Sequence, residues 1–364
     1  MRKPKIAFVL PALNMGGAQR VVITLANALV DEYEVFIITF LNVEPFYQLN
    51  DNITLVHCVD SIQPSSNVIQ AIKSNYILLK RINAIVKRNK IDILIGFLTS
   101  ANVLATLVAI INRIPVIISE RNNPYSEKTP KIWQLMRLIV YPKANYVVVQ
   151  TEIIKKFFSN KIKKDRLLIL SNPISAELTS KRINDNNKEN LIFNAGRLTD
   201  QKAQHILIKA FAFTENDHWK LMIAGDGANR GKYEQLINEL GLGEKVLLLG
   251  EQKNVHQHYN RSKIFAFSSI YEGFPNALIE AMHFGLACVS TNCPTGPSEL
   301  IEDGKNGYLV PMNDEKAMAE KLKMLMNDEN KRNLFGEQAI KTVEKFEVKN
   351  VVLQWKIIID TCLD

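Results

Sequence analysis

The 364-residue chain is poor in the residues that build disulfide frameworks and metal centres. It has four cysteines, Cys58, Cys288, Cys293 and Cys362, and no CxxC pair. That excludes a cysteine-rich scaffold and leaves small buried thiols in a reduced compartment as the expectation. Six histidines form no cluster beyond His256-x-His258, whose rings point apart on a helix. No Asp-x-Asp occurs, so a divalent-metal clamp on a diphosphate has no obvious ligands and no metal is expected. The 16 glycines and 13 prolines are too few for a collagen-like or low-complexity chain. No apolar run reaches the ~18 residues that mark a membrane-spanning helix. The basic start before residues 6–13 imitates a signal peptide. Asn14 and Gly16-Gly17 follow instead of a small-residue cleavage site, so the run is expected to be a first buried strand.

What is present is globular. The chain is 47% hydrophobic and 23% charged, and its length suits two domains, each with its own core. The net charge of +8 is uneven. Residues 1–180 hold 22 basic and 12 acidic side chains, a net of +10, and residues 181–364 hold 23 and 25, a net of −2. The first half therefore suits an anionic partner, and with no recognition motif in the chain nucleic acid is not expected.

Short apolar runs at 6–10, 35–40, 53–58, 91–97, 116–119, 146–150 and 167–170 alternate with helical spacing, as at 17–30 and 100–112. This grammar predicts a parallel sheet covered on both faces. The polar stretch 179–190 reads as a linker. The alternation then restarts at 191–195, 221–224, 246–249, 264–267, 288–290 and 308–310, with helical patterns over 315–360. The fold class is α/β, with two doubly wound domains whose ligand loops sit at the carboxyl ends of the strands. The expected division is 1–178, the linker, 191–347, and a last helix over 348–364.

Four strand ends carry chemistry. Gly16-Gly17 lies between a strand and a helix without the pattern of a dinucleotide or P-loop site, and taken alone it reads as a tight turn rather than a ligand site. Arg197 and Lys202, five apart after the first strand of the second domain, can flank one helix N-terminus as a diphosphate requires, or can be two solvated cations. The turn at Gly225-Asp226-Gly227 says only that the backbone bends there. In the run Glu272-Gly273-Phe274-Pro275-Asn276-Ala277-Leu278-Ile279-Glu280, Pro275 suits a first helical turn and Glu280 interrupts a nearly all-apolar helix. A charge there requires a partner or a ligand, and carboxylates accept hydrogen bonds from paired sugar hydroxyls.

Together these residues resemble the retaining glycosyltransferases of family 4. The segments Cys293-Pro294-Thr295-Gly296-Pro297-Ser298-Glu299-Leu300 and Ser119-Glu120-Arg121-Asn122-Asn123-Pro124 extend the likeness to members that elongate lipid-linked bacterial glycans, including N-acetylgalactosaminyltransferases. The resemblance implies a GT-B fold, two Rossmann-like domains facing a cleft, with the last helix crossing back to the first domain. It implies a UDP-linked sugar donor with no further cofactor, and a polyprenyl-diphosphate-linked glycan as acceptor. It also implies a cytoplasmic, peripheral location on the anionic inner leaflet. Arg197 and Lys202 would hold the donor diphosphate, Glu280 the ribose and Glu272 the sugar. Backbone at Phe274, Pro275, Asn276 and Ala277 would assist, Asn254 and Val255 would meet the base, and Gly16 and Gly17 would approach from the other domain. Many members carry a histidine near the reacting sugar where this chain has Arg121. Arginine cannot act as a base, but it could orient Glu120, the remaining catalytic candidate, or bind an acceptor phosphate. Alternatives on the same fold are a nucleotide-sugar 2-epimerase and a non-catalytic membrane-surface scaffold.

Residues 68–90 read as one amphipathic helix. Lys73, Lys80, Arg81, Lys87 and Arg88 fall within an arc of about 120°. Val68, Ala71, Ile72, Leu78, Leu79, Ile82, Ile85 and Val86 are expected opposite, with Ile69, Tyr76 and Ile77 intruding on the basic side. The basic face is either solvated, or meets anionic headgroups or an acceptor pyrophosphate.

Overall fold

A computed structural model describes residues 2–61, 68–125, 130–183 and 188–364, with the side chain of residue 68 outside the description. The chain divides into two compact units, Met1–Ser175 with Val348–Asp364, and Ala176–Glu347.

The first unit runs β1 (Lys5–Leu10), α1 (Gly17–Leu29), β2 (Glu34–Leu41), β3 (Thr54–Val59), α2 (Val68–Asn89), β4 (Ile93–Phe97), α3 (Thr99–Asn112), β5 (Val116–Ser119), α4 (Lys131–Val140), β6 (Tyr146–Val149), α5 (Glu152–Phe158) and β7 (Leu167–Ile169). Its seven strands are all parallel, in the order β3-β2-β1-β4-β5-β6-β7. The inner strands are nearly all apolar because both faces are covered, whereas the edge strand β3 carries Thr54 and His57 and is largely half-buried. Ala7 and Val9 point into one core with Leu104 of α3 and Ile82 of α2, while Ile6, Phe8 and Leu10 point into the other with Val22 of α1 and Trp355. Alternate residues thus serve opposite layers, as the two-residue period of a strand requires.

The second unit runs α6 (Ala176–Ser180), β8 (Glu189–Ala195), α7 (Gln204–Ala212), β9 (Lys220–Ala224), α8 (Arg230–Glu239), β10 (Val246–Gly250), α9 (Val255–Arg261), β11 (Ser262–Phe267), α10 (Asn276–His283), β12 (Ala287–Thr291), α11 (Pro297–Leu300), β13 (Tyr308–Val310), α12 (Glu315–Asn327) and α13 (Glu329–Val343). Its sheet is again parallel, in the order β10-β9-β8-β11-β12-β13. The last helix, α14 (Val348–Leu363), packs on the first unit. Val351, Trp355 and Ile359 enter the core beside α1, and the Tyr33 hydroxyl donates to Asp360 at 2.5 Å.

Two expectations are corrected. The polar connection is shorter than 179–190. Thr179 and Ser180 close α6, the backbone at Lys181 and Ile183 is hydrogen-bonded to Asn260 of α9, and Glu189 already belongs to β8, paired with Arg261 at 2.6 Å. Residues 184–187 of that stretch lie outside the described residues. On α2 the buried stripe begins only at Leu78 and continues through Ile82 and Val86, so Ile72, expected on the packed side, is 63% exposed. The apolar placement of Val68 falls outside the description.

Candidate active site

The loops at the carboxyl edge of the second sheet are tied to one another. The turn after β8 holds Gly196 to Lys202, and the amide of the buried Leu198 donates to the Asp226 carbonyl at 3.0 Å. Gly225 has φ +127, and a Cβ there would lie 2.2 Å from the Gly196 carbonyl oxygen. The second glycine turn is therefore shaped to lie on the first, which its sequence alone did not reveal. Lys202 extends along Gly196 and places its Nζ 2.6 Å from Glu272 Oε1 and 5.3 Å from the Phe267 ring centre. The Ser268 hydroxyl donates to the Lys202 carbonyl at 2.8 Å. Arg197 is exposed at the end of the same strand edge.

Glu272 is 5% exposed in the loop between β11 and α10. Glu280, also 5% exposed, sits among Leu278, Ile279, Ala281 and Met282 on α10. Its Oε2 accepts a hydrogen bond at 3.2 Å from the hydroxyl of Tyr259, a fully buried residue of α9. That internal partner lets a carboxylate persist in an apolar helix. The loop needs one correction. Pro275 has no N–H, the Asn276 amide is already donated to the Phe274 carbonyl at 3.0 Å, and the Phe274 ring packs edge-on against Phe346. Pro275 and Asn276 thus add no main-chain donor in this conformation, and Pro275 acts as the N-cap of α10. Asn254 is the N-cap of α9 and Val255 its first residue. His258 stacks on Phe193 and lies 3.2 Å from Gln252. Among the described residues no group of three or more histidine, cysteine, aspartate or glutamate side chains gathers as for a metal. Cys58, Cys288 and Cys293 are buried. Burial, reinforced by the nearby Glu272 charge, pushes the Cys293 thiol up to about 12.

The first unit buries two further candidates. Glu120 follows β5 but is fully buried. Its carboxylate meets Arg137 Nε of α4 at 3.2 Å, the Tyr141 hydroxyl at 2.7 Å, Thr99 at 3.3 Å and the Asn122 amide at 3.2 Å. Arg137 is itself 3% exposed and donates to Thr99 at 2.8 Å. Glu120 is the anion of an internal network rather than a group presented to a substrate. Arg121 is likewise buried. Its guanidinium donates to Asn172 and lies 4.9 Å from the Phe97 ring centre and 6.0 Å from that of Trp355 on α14. Burial draws its pKa down to about 9, opposed by Glu120. Within the first unit it links the strand ends to α14 through Asn172 and the Phe97 and Trp355 rings, while its Nε and Nη2 have no hydrogen-bond partner among the described residues. Gly16 is extended at φ 168, so its backbone does not demand glycine, although a Cβ would meet the Gln19 side chain at 2.3 Å. Gly17 opens α1 and is exposed.

Comparison with known proteins decides the family. A profile described as Glycosyltransferase Family 4 matches residues 15–178, and one described as Glycosyl transferases group 1 matches 175–342. A Campylobacter jejuni protein, GalNAc-alpha-(1->4)-GalNAc-alpha-(1->3)-diNAcBac-PP-undecaprenol alpha-1,4-N-acetyl-D-galactosaminyltransferase, is 33% identical over 356 residues, covering 96% of this chain and 97% of the relative. The chain belongs to glycosyltransferase family 4. A second relative, the Erwinia amylovora amylovoran biosynthesis glycosyltransferase AmsD, is 26% identical over 95% of this chain and 97% of its own length. The glycosyltransferase also shares its fold with a glycosyltransferase from Rickettsia africae (TM-score 0.82, 20% identity, all of both chains). Anabaena Alr3699/HepE in complex with UDP superposes with a TM-score of 0.79 at 19% identity, covering 98% of this chain and 100% of that one. The fold is GT-B. Of the residues singled out in the glycosyltransferase sequence, Lys202 and Glu272 are brought into contact across 70 positions. Tyr259 and Arg137 were missed. A phenol just over one turn into a short helix carries no mark of its target, and a basic residue in an amphipathic helix looks like a solvated one.

Proposed function

We propose that this glycosyltransferase moves a hexose or N-acetylhexosamine, N-acetylgalactosamine being the leading candidate, from a UDP-sugar to a hydroxyl of a polyprenyl-diphosphate-linked glycan, with retention and without a metal. The observation that carries the reading is the pair Lys202–Glu272 at 2.6 Å at a strand edge, the acid buried and the lysine half-buried, with a second buried acid, Glu280, eight residues further along the chain. A cation beside a carboxylate is neutral when empty. A diphosphate can recruit the cation while sugar hydroxyls satisfy the carboxylate. Lys202 and the exposed Arg197 stabilise the departing diphosphate, and Glu280 takes the ribose. The acceptor oxygen bonds to the anomeric carbon on the face from which the phosphate oxygen leaves, and its proton passes to that oxygen. The Campylobacter relative's name supports the lipid-linked acceptor, and the UDP complex of the Anabaena protein supports the nucleotide.

Incubation with UDP-sugars, with and without a lipid-linked acceptor, tests the reaction. Glycosylated lipid formed only with acceptor is expected, whereas an epimerised donor contradicts it. Glu280→Gln should weaken UDP binding by about tenfold in a calorimetric titration. Unchanged affinity removes Glu280 from the ribose.

The same reading places the enzyme on the anionic inner leaflet. No described helix is long and apolar enough to cross a membrane. Its support is surface chemistry. On α4, Ile132, Leu135 and Ile139 are 56%, 52% and 52% exposed along one stripe. On α2, Ile69, Ile72 and Tyr76 are exposed among the likewise exposed Lys73, Lys80 and Arg81, with Lys80 4.7 Å from the Tyr76 ring centre. Both helices pack against α3. Lys87 and Arg88 are exposed at the far end of α2. Apolar side chains flanked by lysines suit the boundary of an anionic bilayer. Flotation with phosphatidylglycerol vesicles checks this. The triple variant I132E/L135E/I139E should bind at least tenfold more weakly, and equal flotation contradicts the assignment.

A further inference from the structure

The segment Cys293 to Leu300 marks the family likeness, yet nothing above gives it a task. We infer that Thr295 is a positioning residue for the Glu272 carboxylate, acting through a clamp that the loop after β12 forms on the loop after β11. The inference rests on the proposed role of Glu272 at the donor sugar.

Three contacts make the clamp. The Thr291 hydroxyl at the end of β12 donates to the Ser269 carbonyl at 2.6 Å. The Thr295 hydroxyl donates to the backbone carbonyl of Glu272 itself. Gly296 lies flat on Pro275, and a Cβ at that glycine would stand 2.4 Å from the proline Cδ. The acid-bearing loop is therefore held three residues before Glu272, at Glu272 and three residues after it. Thr295 is 1% exposed and sits at φ +70, in the left-handed region that a β-branched residue rarely adopts. Glycine or asparagine would fit that backbone more easily. A threonine held there serves through its side chain, and its single hydroxyl proton is within reach of the Glu272 carbonyl. Fixing that carbonyl fixes the direction in which the Glu272 side chain leaves the backbone, and so the 2.6 Å meeting with Lys202. Strain of this kind persists where the surrounding structure over-determines it, and it gathers at ligand sites.

Three substitutions separate positioning from mere support. T295V keeps the branched shape and loses the hydroxyl. T295G relieves the backbone and loses the hydroxyl. T295S keeps the hydroxyl. Full-length variants are compared with Glu272→Gln for steady-state turnover of the UDP-sugar and for binding of UDP alone. T295V and T295G are expected to lose about tenfold in kcat/KM for the sugar donor, with UDP affinity within about twofold of wild type because UDP has no sugar for Glu272 to hold. T295S should stay within about twofold for both. T295G relieves the left-handed backbone but loses a buried side chain, so its kinetics are compared with wild type at a temperature where calorimetry shows both fully folded. The inference is overturned if T295V and T295G turn over normally while Glu272→Gln is impaired. It is equally overturned if UDP affinity falls in step with turnover, which is the mark of a loop that only supports the fold. If Glu272→Gln itself leaves donor kinetics unchanged, the sugar assignment fails first and the clamp has nothing to position.

Discussion

Replacing Lys202 with alanine is expected to lower kcat/KM for the sugar donor by about 10²–10³-fold, the range seen when one preorganised group facing a developing charge is removed. The Lys202 methylenes lie along Gly196, its ammonium over Phe267, and Ser268 fixes its backbone carbonyl, so little reorganisation is needed when phosphate arrives. The loss should appear in kcat as well as in KM, since the diphosphate gains charge as the sugar departs. Arginine at this position should rescue poorly. Its planar, delocalised fork cannot reproduce the point charge that the ammonium places 2.6 Å from Glu272 and over the Phe267 ring. Lys202→Ala with unchanged turnover would leave Glu272 without its cation and without consequence, and would remove Lys202 from the reaction.

Glu120→Ala is expected to destabilise the first domain by about 3–5 kcal/mol, because it leaves the buried Arg137 cation without its carboxylate. In melting temperature that is on the order of 10 °C. The Tyr141 hydroxyl, whose ionisation is pushed well up by burial and by Glu120, also loses an acceptor. The double replacement E120L/R137M removes both charges and should cost clearly less than the sum of the single changes. Differential scanning calorimetry of the four proteins measures that coupling. Should Glu120→Ala melt like wild type yet abolish turnover, the residue acts on substrate after all and its buried network is incidental.

These two residues show where sequence stops being readable. The thirteen strands among the described residues were legible because a parallel sheet covered on both faces leaves nearly continuous apolar runs, and runs such as 116–119 and 308–310 coincide with β5 and β13 residue for residue. Glu280 was legible as a buried acid because its four nearest neighbours in sequence are apolar. Glu120 was not, since its partners lie 21 residues upstream at Thr99 and 17 and 21 downstream at Arg137 and Tyr141, each on a different element. Nothing local distinguishes an acid aimed at a ligand from one neutralised inside the fold. Ile72 failed for a related reason: helical periodicity gives the direction of a side chain, but not where along the helix the neighbouring layer ends. The clamp on Glu272 was invisible because it joins two loops through backbone carbonyls, which carry no residue identity.

Calorimetric titration of the full chain with UDP-N-acetylgalactosamine in excess EDTA puts the donor site itself to the proof. Saturation at one nucleotide per chain is expected, with affinity shifting by no more than about twofold when magnesium or manganese replaces the chelator. Binding heat that appears only once the divalent ion is supplied would show that side chains and amides do not suffice to neutralise the diphosphate, and would overturn the reading of Arg197 and Lys202.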